Sequence, residues 1–208
     1  MNNYKTIAVL VSICCVSGAM AVAQASGSSS STSAQASTAP PTIASVLNNQ
    51  LGSIEREVMN AADAVPQDKF DFSPATGNIP GDFKTPKAVR TMGEQFKHIG
   101  DALESYASGI MGQKPQISDD ENGPKNIKTK QEVVDYVKAA FAKAHSAIDT
   151  INQQNATEEI ANPFGGTRKL TRLALAVGMV GHSNNHYGQI IEYLRMNGIV
   201  PPESRPRK

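Results

Sequence analysis

The sequence predicts an all-α protein, a four-helix bundle that follows a cleaved signal peptide and a flexible leader. Three observations point there. Apolar residues recur at spacings of three and four in four separate stretches; residues that start and stop helices bracket those stretches; no stretch shows the sustained alternation of a strand. The bulk properties fit one soluble domain: 208 residues, 39% hydrophobic, with a formal charge of +1 that argues against nucleic acid as a partner.

The N-terminus reads as an export signal. "MNNYK" carries one lysine, "TIAVLVSICCVSGAMAVA" is apolar, and small residues offer cleavage after Ala23 or Ala25. The rival reading is an uncleaved anchor, since the apolar run approaches spanning length, but its Ala, Ser and Gly content and its cleavage sites favour removal. Ile13 precedes Cys14 where a lipoprotein signal needs a small residue. The expected divisions are therefore signal peptide 1–25, leader 26–42, helical domain 43–202 and tail 203–208. The leader is built of Ser, Ala, Thr, Gly and Pro with almost nothing to bury. Cys14 and Cys15 fall in the removed segment, so the exported chain has no disulfide and no thiol nucleophile. The expected location is the periplasm or the exterior, with no stable membrane association after cleavage.

The first helix is marked by Leu47, Leu51, Ile54, Val58, Ala61 and Val65, and Pro66 ends it. The second is expected to open at "TPKAV", with Thr85 as cap and Pro86 at the first helical position. Its stripe runs Val89, Met92, Phe96, Ile99, Leu103, Tyr106 and Ile110 before "MGQKP". In the third, Thr129 and Glu132 can satisfy each other's backbone amides, ahead of Val134, Val137, Phe141, Ala144, Ile148 and Ile151. The fourth starts near Thr167 and stops at "NGIVPP", where Gly198 suits a left-handed cap. The connections exceed the usual bundle loop, which leaves room for neighbours that are not consecutive in sequence.

The fourth helix carries two apolar lines. One is Leu173, Val177, Val180, Ile191 and Leu194; the other is Leu175, Met179, His182, His186, Ile190 and Tyr193. A helix apolar on both sides is normally buried on both sides, so the two histidines should point into protein. Imidazoles at i and i+4 stand about 6 Å apart at their roots, close enough to hold one ion. Buried imidazoles without partners are costly, and a divalent metal supplies a partner to both. The plain alternative is a pair of core histidines satisfied by backbone or by nearby Asn and Tyr. A bundle site needs a third ligand from another helix, and both His98 and His145 are available. Periodicity slightly favours His145, and spacing does not choose between them.

Three stretches carry a family likeness: "HSNNHYGQIIEYLRMNGIVPPESRP", "VPQDKFDFSPATG" and "GEQFKHIGDAL". The first resembles the C-terminal signature of the DinB/YfiT-like family, the second its segment after helix one, and the third its helix-two histidine motif. The resemblance spans about Leu47 to Pro202. It implies a four-helix bundle, often a homodimer, in which three histidines hold a divalent metal such as zinc or nickel. Carried over by position these are His98, His182 and His186, which decides against His145. Many relatives carry His-His-Arg before Gly-Gln, whereas this chain reads Asn185-His186-Tyr187, so a basic pair near the site is missing.

Three imidazoles leave a divalent ion its full charge and an open position, where it can polarise a carbonyl or ionise bound water or thiol. The resemblance implies metal-dependent transfer with a low-molecular-weight thiol as cosubstrate, apt for a chain without cysteine of its own. A hydrolytic site would want a base beside the ion, and the nearest carboxylates in sequence are Asp101 and Glu192. Asn185, Gln189 and Tyr193 are placed to orient the ligands or touch a small-molecule substrate. Three readings stay open: a metal-dependent transferase or hydrolase, a non-catalytic bundle stapled by its ion, and an interaction protein of the periplasm without metal.

Overall fold

The computed structural model describes residues 40–75, 89–116 and 121–206. The proposed signal peptide and all but the last residues of the leader lie outside them. Among the described residues four helices dominate: α1 (Ile43–Ala64), α2 (Met92–Ile110), α3 (Lys130–Asp149) and α4 (Arg172–Met196).

Each helix starts where its sequence can satisfy the first free amides. Thr42 accepts from the Ser45 amide at 3.0 Å to open α1. Thr129 and Glu132 form the expected reciprocal cap of α3. The opening of α2 differs from expectation. Thr85 and Pro86 lie outside the described residues, Val89 to Thr91 are not helical, and Thr91 with Glu94 makes the cap instead. The cause is tertiary: the segment after α1 lies across this end, and its Phe70 and Phe72 carbonyls take the amides of Gly93 and Met92 at 2.8 and 2.7 Å.

The start of α4 also shifts, from the expected Thr167 to Arg172. Leu170 and Thr171 stay extended because they pair antiparallel with β1 (Glu159–Ile160) as β2 (Leu170–Thr171). This two-residue ladder is strand that periodicity did not anticipate. Thr171 then caps the helix through the Ala174 amide at 3.1 Å. At its far end Gly198 takes φ +70, as the left-handed cap requires.

The helices pack in the cyclic order α1, α3, α2, α4, so consecutive pairs α1/α2 and α3/α4 stand across the bundle rather than side by side. Long connections are needed for that order, and it makes α2 and α4 neighbours. The expected stripes of α1 and α2 line the core, except that Val89 and Tyr106 are only partly buried. In α3 Val133 is buried where Val134 was expected. One face of α4 holds Leu175, Met179, His186, Ile190 and Tyr193 in the interior. Its second line is corrected: Val177 is 58% exposed, and Leu173, Val180 and Ile191 are only partly buried. Two-sided burial fails because the four-membered ring covers only the side facing α1 and α2.

Close approach of α3 to α2 depends on Gly100. A Cβ there would stand 2.4 Å from Cε1 of Tyr136, whose hydroxyl donates to the buried Asp101 carboxylate. Gly100→Ala gains about 1 kcal/mol of helix propensity but overpacks by about 1–3 kcal/mol. We expect a net loss of stability in urea unfolding; a more stable variant would contradict this packing.

Candidate metal centre

The neighbouring α2 and α4 bring His98, His182 and His186 together. One ring nitrogen from each lies within 4.8 Å of the other two. His98 Nε2 and His182 Nε2 are 3.2 Å apart, and the ring centroids are separated by 4.4 to 5.1 Å. Tetrahedral nitrogens bonded at about 2.0–2.1 Å stand about 3.4 Å apart, so the cluster is of the right size for one ion. His186 is buried and the other two are half-buried.

Two hydrogen bonds decide which nitrogens carry lone pairs. His98 Nδ1 lies 2.6 Å from the Glu121 carbonyl oxygen, which can only accept, so Nδ1 holds the proton and Nε2 is free. His186 Nδ1 lies 2.8 Å from Gln95 Oε1. Gln95 is itself oriented, because its Nε2 donates to Gln189 Oε1 at 2.9 Å and lies 3.5 Å from the Tyr193 hydroxyl. That hydroxyl donates to the Arg90 carbonyl at 3.0 Å, and Gln189 Nε2 donates to Asn185 Oδ1 at 3.3 Å. His186 thus also presents Nε2. Partners of this kind fix the tautomer of ligating histidines and raise their basicity. The donor set therefore fits a divalent ion of the zinc or nickel type.

All three rings are held neutral. Burial comes first in lowering each; His182 falls to about 4 and His186 to about 3, with His98 the next influence on both. The Arg90 guanidinium adds to the effect at all three rings. Its Nη2 donates at 3.2 Å to the same Glu121 carbonyl that receives His98 Nδ1. The basic pair absent next to His186 is thus partly made up by a cation from the segment before α2.

The remaining sequence candidates separate. Asn185, Gln189 and Tyr193 belong to the network behind His186. Asp101 is buried and bound by Tyr136, so it ties α2 to α3. Glu192 is exposed and paired with Arg195 at 2.5 Å. His145 faces α1, with Nδ1 2.7 Å from Asn48 Oδ1 and Nε2 3.1 Å from Glu55. Three residues escaped sequence reading, Gln95, Arg90 and Glu121, the last acting through its backbone carbonyl. Gln95 sits one turn before His98 on an inward face, a signal that was present; Arg90 lies outside any helix and gave none.

Comparison with known proteins bears on this arrangement. A sequence profile of the DinB superfamily matches residues 50–190. The chain belongs to the DinB superfamily. Similar folds include a DinB-like protein from Bacillus cereus (16% identity, TM-score 0.56, covering 75% of this chain and 93% of that one). A DinB-like protein from Bacillus subtilis aligns at 19% identity and TM-score 0.57, over 78% and 99%. A conserved protein from Enterococcus faecalis gives 15%, 0.58, 76% and 98%. No curated protein matches the chain. In this DinB domain, the helix-two and helix-four histidines are the ones that converge.

Two outcomes follow for the DinB domain. Below the ordinary imidazole value of 6.5, the unfolded chain binds protons that folded His182 and His186 refuse until about pH 4 and 3. Stability present above pH 6.5 is therefore lost as pH falls toward those values. Urea midpoints of chelator-treated protein should drop between pH 7 and 5, and less so in a His182→Asn/His186→Asn variant; equal slopes would refute the assignment. Gln95→Ala should weaken zinc binding by about 10- to 100-fold, measured by competition with a chromophoric chelator.

Proposed function

We propose that this DinB protein is exported and binds one divalent ion, zinc or nickel, through His98, His182 and His186. We further propose that it acts as a metal-dependent transferase or hydrolase on a small molecule. The observation that carries the reading is the convergence of three imidazoles, two of which, His98 and His186, have their proton positions set by Glu121 and Gln95. The family supports it, since the histidines lie within the matched residues.

Such an ion supplies a Lewis acid with an open coordination position, able to polarise a carbonyl or to lower the pKa of a bound water or thiol. The residues of this chain do the rest. Glu121 and Gln95 hold His98 and His186 at fixed tautomer and angle. Gln189 and Asn185 extend the network from His186 toward the surface, where Asn185 is exposed. No carboxylate joins the histidine cluster among the described residues. A low-molecular-weight thiol, which ionises more readily than water, would therefore need no base from these residues. The chain beyond the proposed signal has no cysteine to compete for the ion.

Elemental analysis of protein purified without added metal should find about one divalent ion per chain, and His98→Ala or His182→Ala should each abolish it. A stoichiometry untouched by both changes would remove the centre. If the ion is only a staple, chelation should lower Tm steeply while thiol-dependent transfer stays absent. Export is checked separately. No described helix is long and apolar enough to cross a membrane. The intact mass of the natively expressed protein should correspond to a chain starting at Gln24 or Ser26, and a mass retaining Met1 would refute cleavage.

A further inference from the structure

Beside His182 stands the ring of Tyr106, which packs against the core on one side and meets the ring of Phe164 on another. Tyr106 lies two turns after His98 on α2, with its ring centroid 6.1 Å from that of His182. It is half-buried, and among the described residues its hydroxyl has no hydrogen-bond partner. Phe164, from the connection between α3 and α4, meets it edge-on with centroids 4.7 Å apart and an interplanar angle of 71°. Phe164 is 54% exposed, an unusual place for a phenyl ring, whereas Phe70, Phe96 and Phe141 are buried.

That exposure is built. The Phe164 amide donates to Asn162 Oδ1 at 3.0 Å and the Gly165 amide to the Asn162 carbonyl at 3.1 Å, closing a tight turn. Gly165 and Gly166 follow at φ +87 and +83, which other residues adopt only with strain. Pro163 seats the turn on α2 at Gly109, where a Cβ would come within 2.6 Å of its ring. On the opposite side α4 makes room for Tyr106 with Gly178, one turn before His182, where a Cβ would stand 3.1 Å from Tyr106 Cε1. Glycines on two helices and in one turn thus make room for Tyr106 beside His182 and hold Phe164 against it, open to solvent.

We propose that Tyr106 and Phe164 form the substrate-recognising wall of the three-histidine centre, selecting a small molecule that joins an ion-binding head group to an aromatic body. The inference rests on the metal reading above and gives it a substrate class. The Phe164 face stacks on the aromatic body, and the Tyr106 hydroxyl donates a hydrogen bond to the head group. Phe164 sets specificity through the body alone, whereas Tyr106 acts on every head group alike.

The test uses cobalt-substituted protein, whose visible absorption reports the coordination sphere, titrated with benzohydroxamate and with acetohydroxamate. The two share a head and differ in body. Benzohydroxamate should bind about tenfold more tightly. Phe164→Ala should erase that preference while leaving acetohydroxamate unchanged, and Phe164→Leu should retain part of it. Tyr106→Phe, which keeps the ring, should weaken both by one common factor. Equal affinities in the unaltered protein, or equal loss of both ligands on Phe164→Ala, would overturn the wall and leave the metal centre standing. Failure to take up cobalt stoichiometrically would overturn the metal reading itself, and this inference with it.

Discussion

Imidazole nitrogens aimed at one point carry like-facing lone pairs, and a hydrogen bond at a ring's other nitrogen helps to hold it there. In this protein a backbone carbonyl and a glutamine side chain do that for His98 and His186. Both are acceptors, so both rings must carry their proton at Nδ1. The centre depends on those two hydrogen bonds more than on the spacing of the histidines. If Gln95 turned, or the Glu121 segment lifted from α2, the same three residues would become ordinary half-buried imidazoles.

The surrounding fold protects these bonds at every level. The segment after α1 clamps the start of α2 through the Phe70 and Phe72 carbonyls, which fixes the turn carrying Gln95 and His98. The segment before α3 is held on the same helix. Gly123, at φ +84, lies so close that a Cβ would stand 2.4 Å from that of Lys97, and Lys97 Nζ donates to the Pro124 carbonyl. Arg90 donates to the Glu121 carbonyl and disfavours protonation of all three rings, so the site stays ready for a cation although it lies beside one. The cyclic order of helices is the largest-scale part of the same device. It sets α2 against α4 even though the whole of α3 separates them in sequence.

Much of the bundle could be read from periodicity and capping chemistry. The stripes of α1 and α3, the reciprocal cap at Thr129 and Glu132, and the left-handed stop at Gly198 are local, and local rules found them. Apart from Val133, buried in place of Val134, the errors were non-local. Two carbonyls from the preceding loop decide where α2 opens, and a short ladder delays α4. Val177 is exposed because the ring of helices leaves that side uncovered. At the site, the pair His182 and His186 was legible as an i, i+4 motif, but periodicity slightly favoured His145, which does not join the cluster. His145 lies nearer its helix's apolar stripe, yet that side faces Asn48 and Glu55 of α1. Only the family likeness pointed to His98.

Within one helix, sequence determined what sequence can: the helical periods, most of the caps, and which imidazoles share a face, because all of these depend on residues within a few positions of each other. The order of helices, the identity of the third imidazole, the proton positions on two rings and the company of Tyr106 and Phe164 were decided by tertiary structure. Each is a contact between atoms far apart along the chain, brought together by competition among buried surfaces, and no local pattern encodes its outcome.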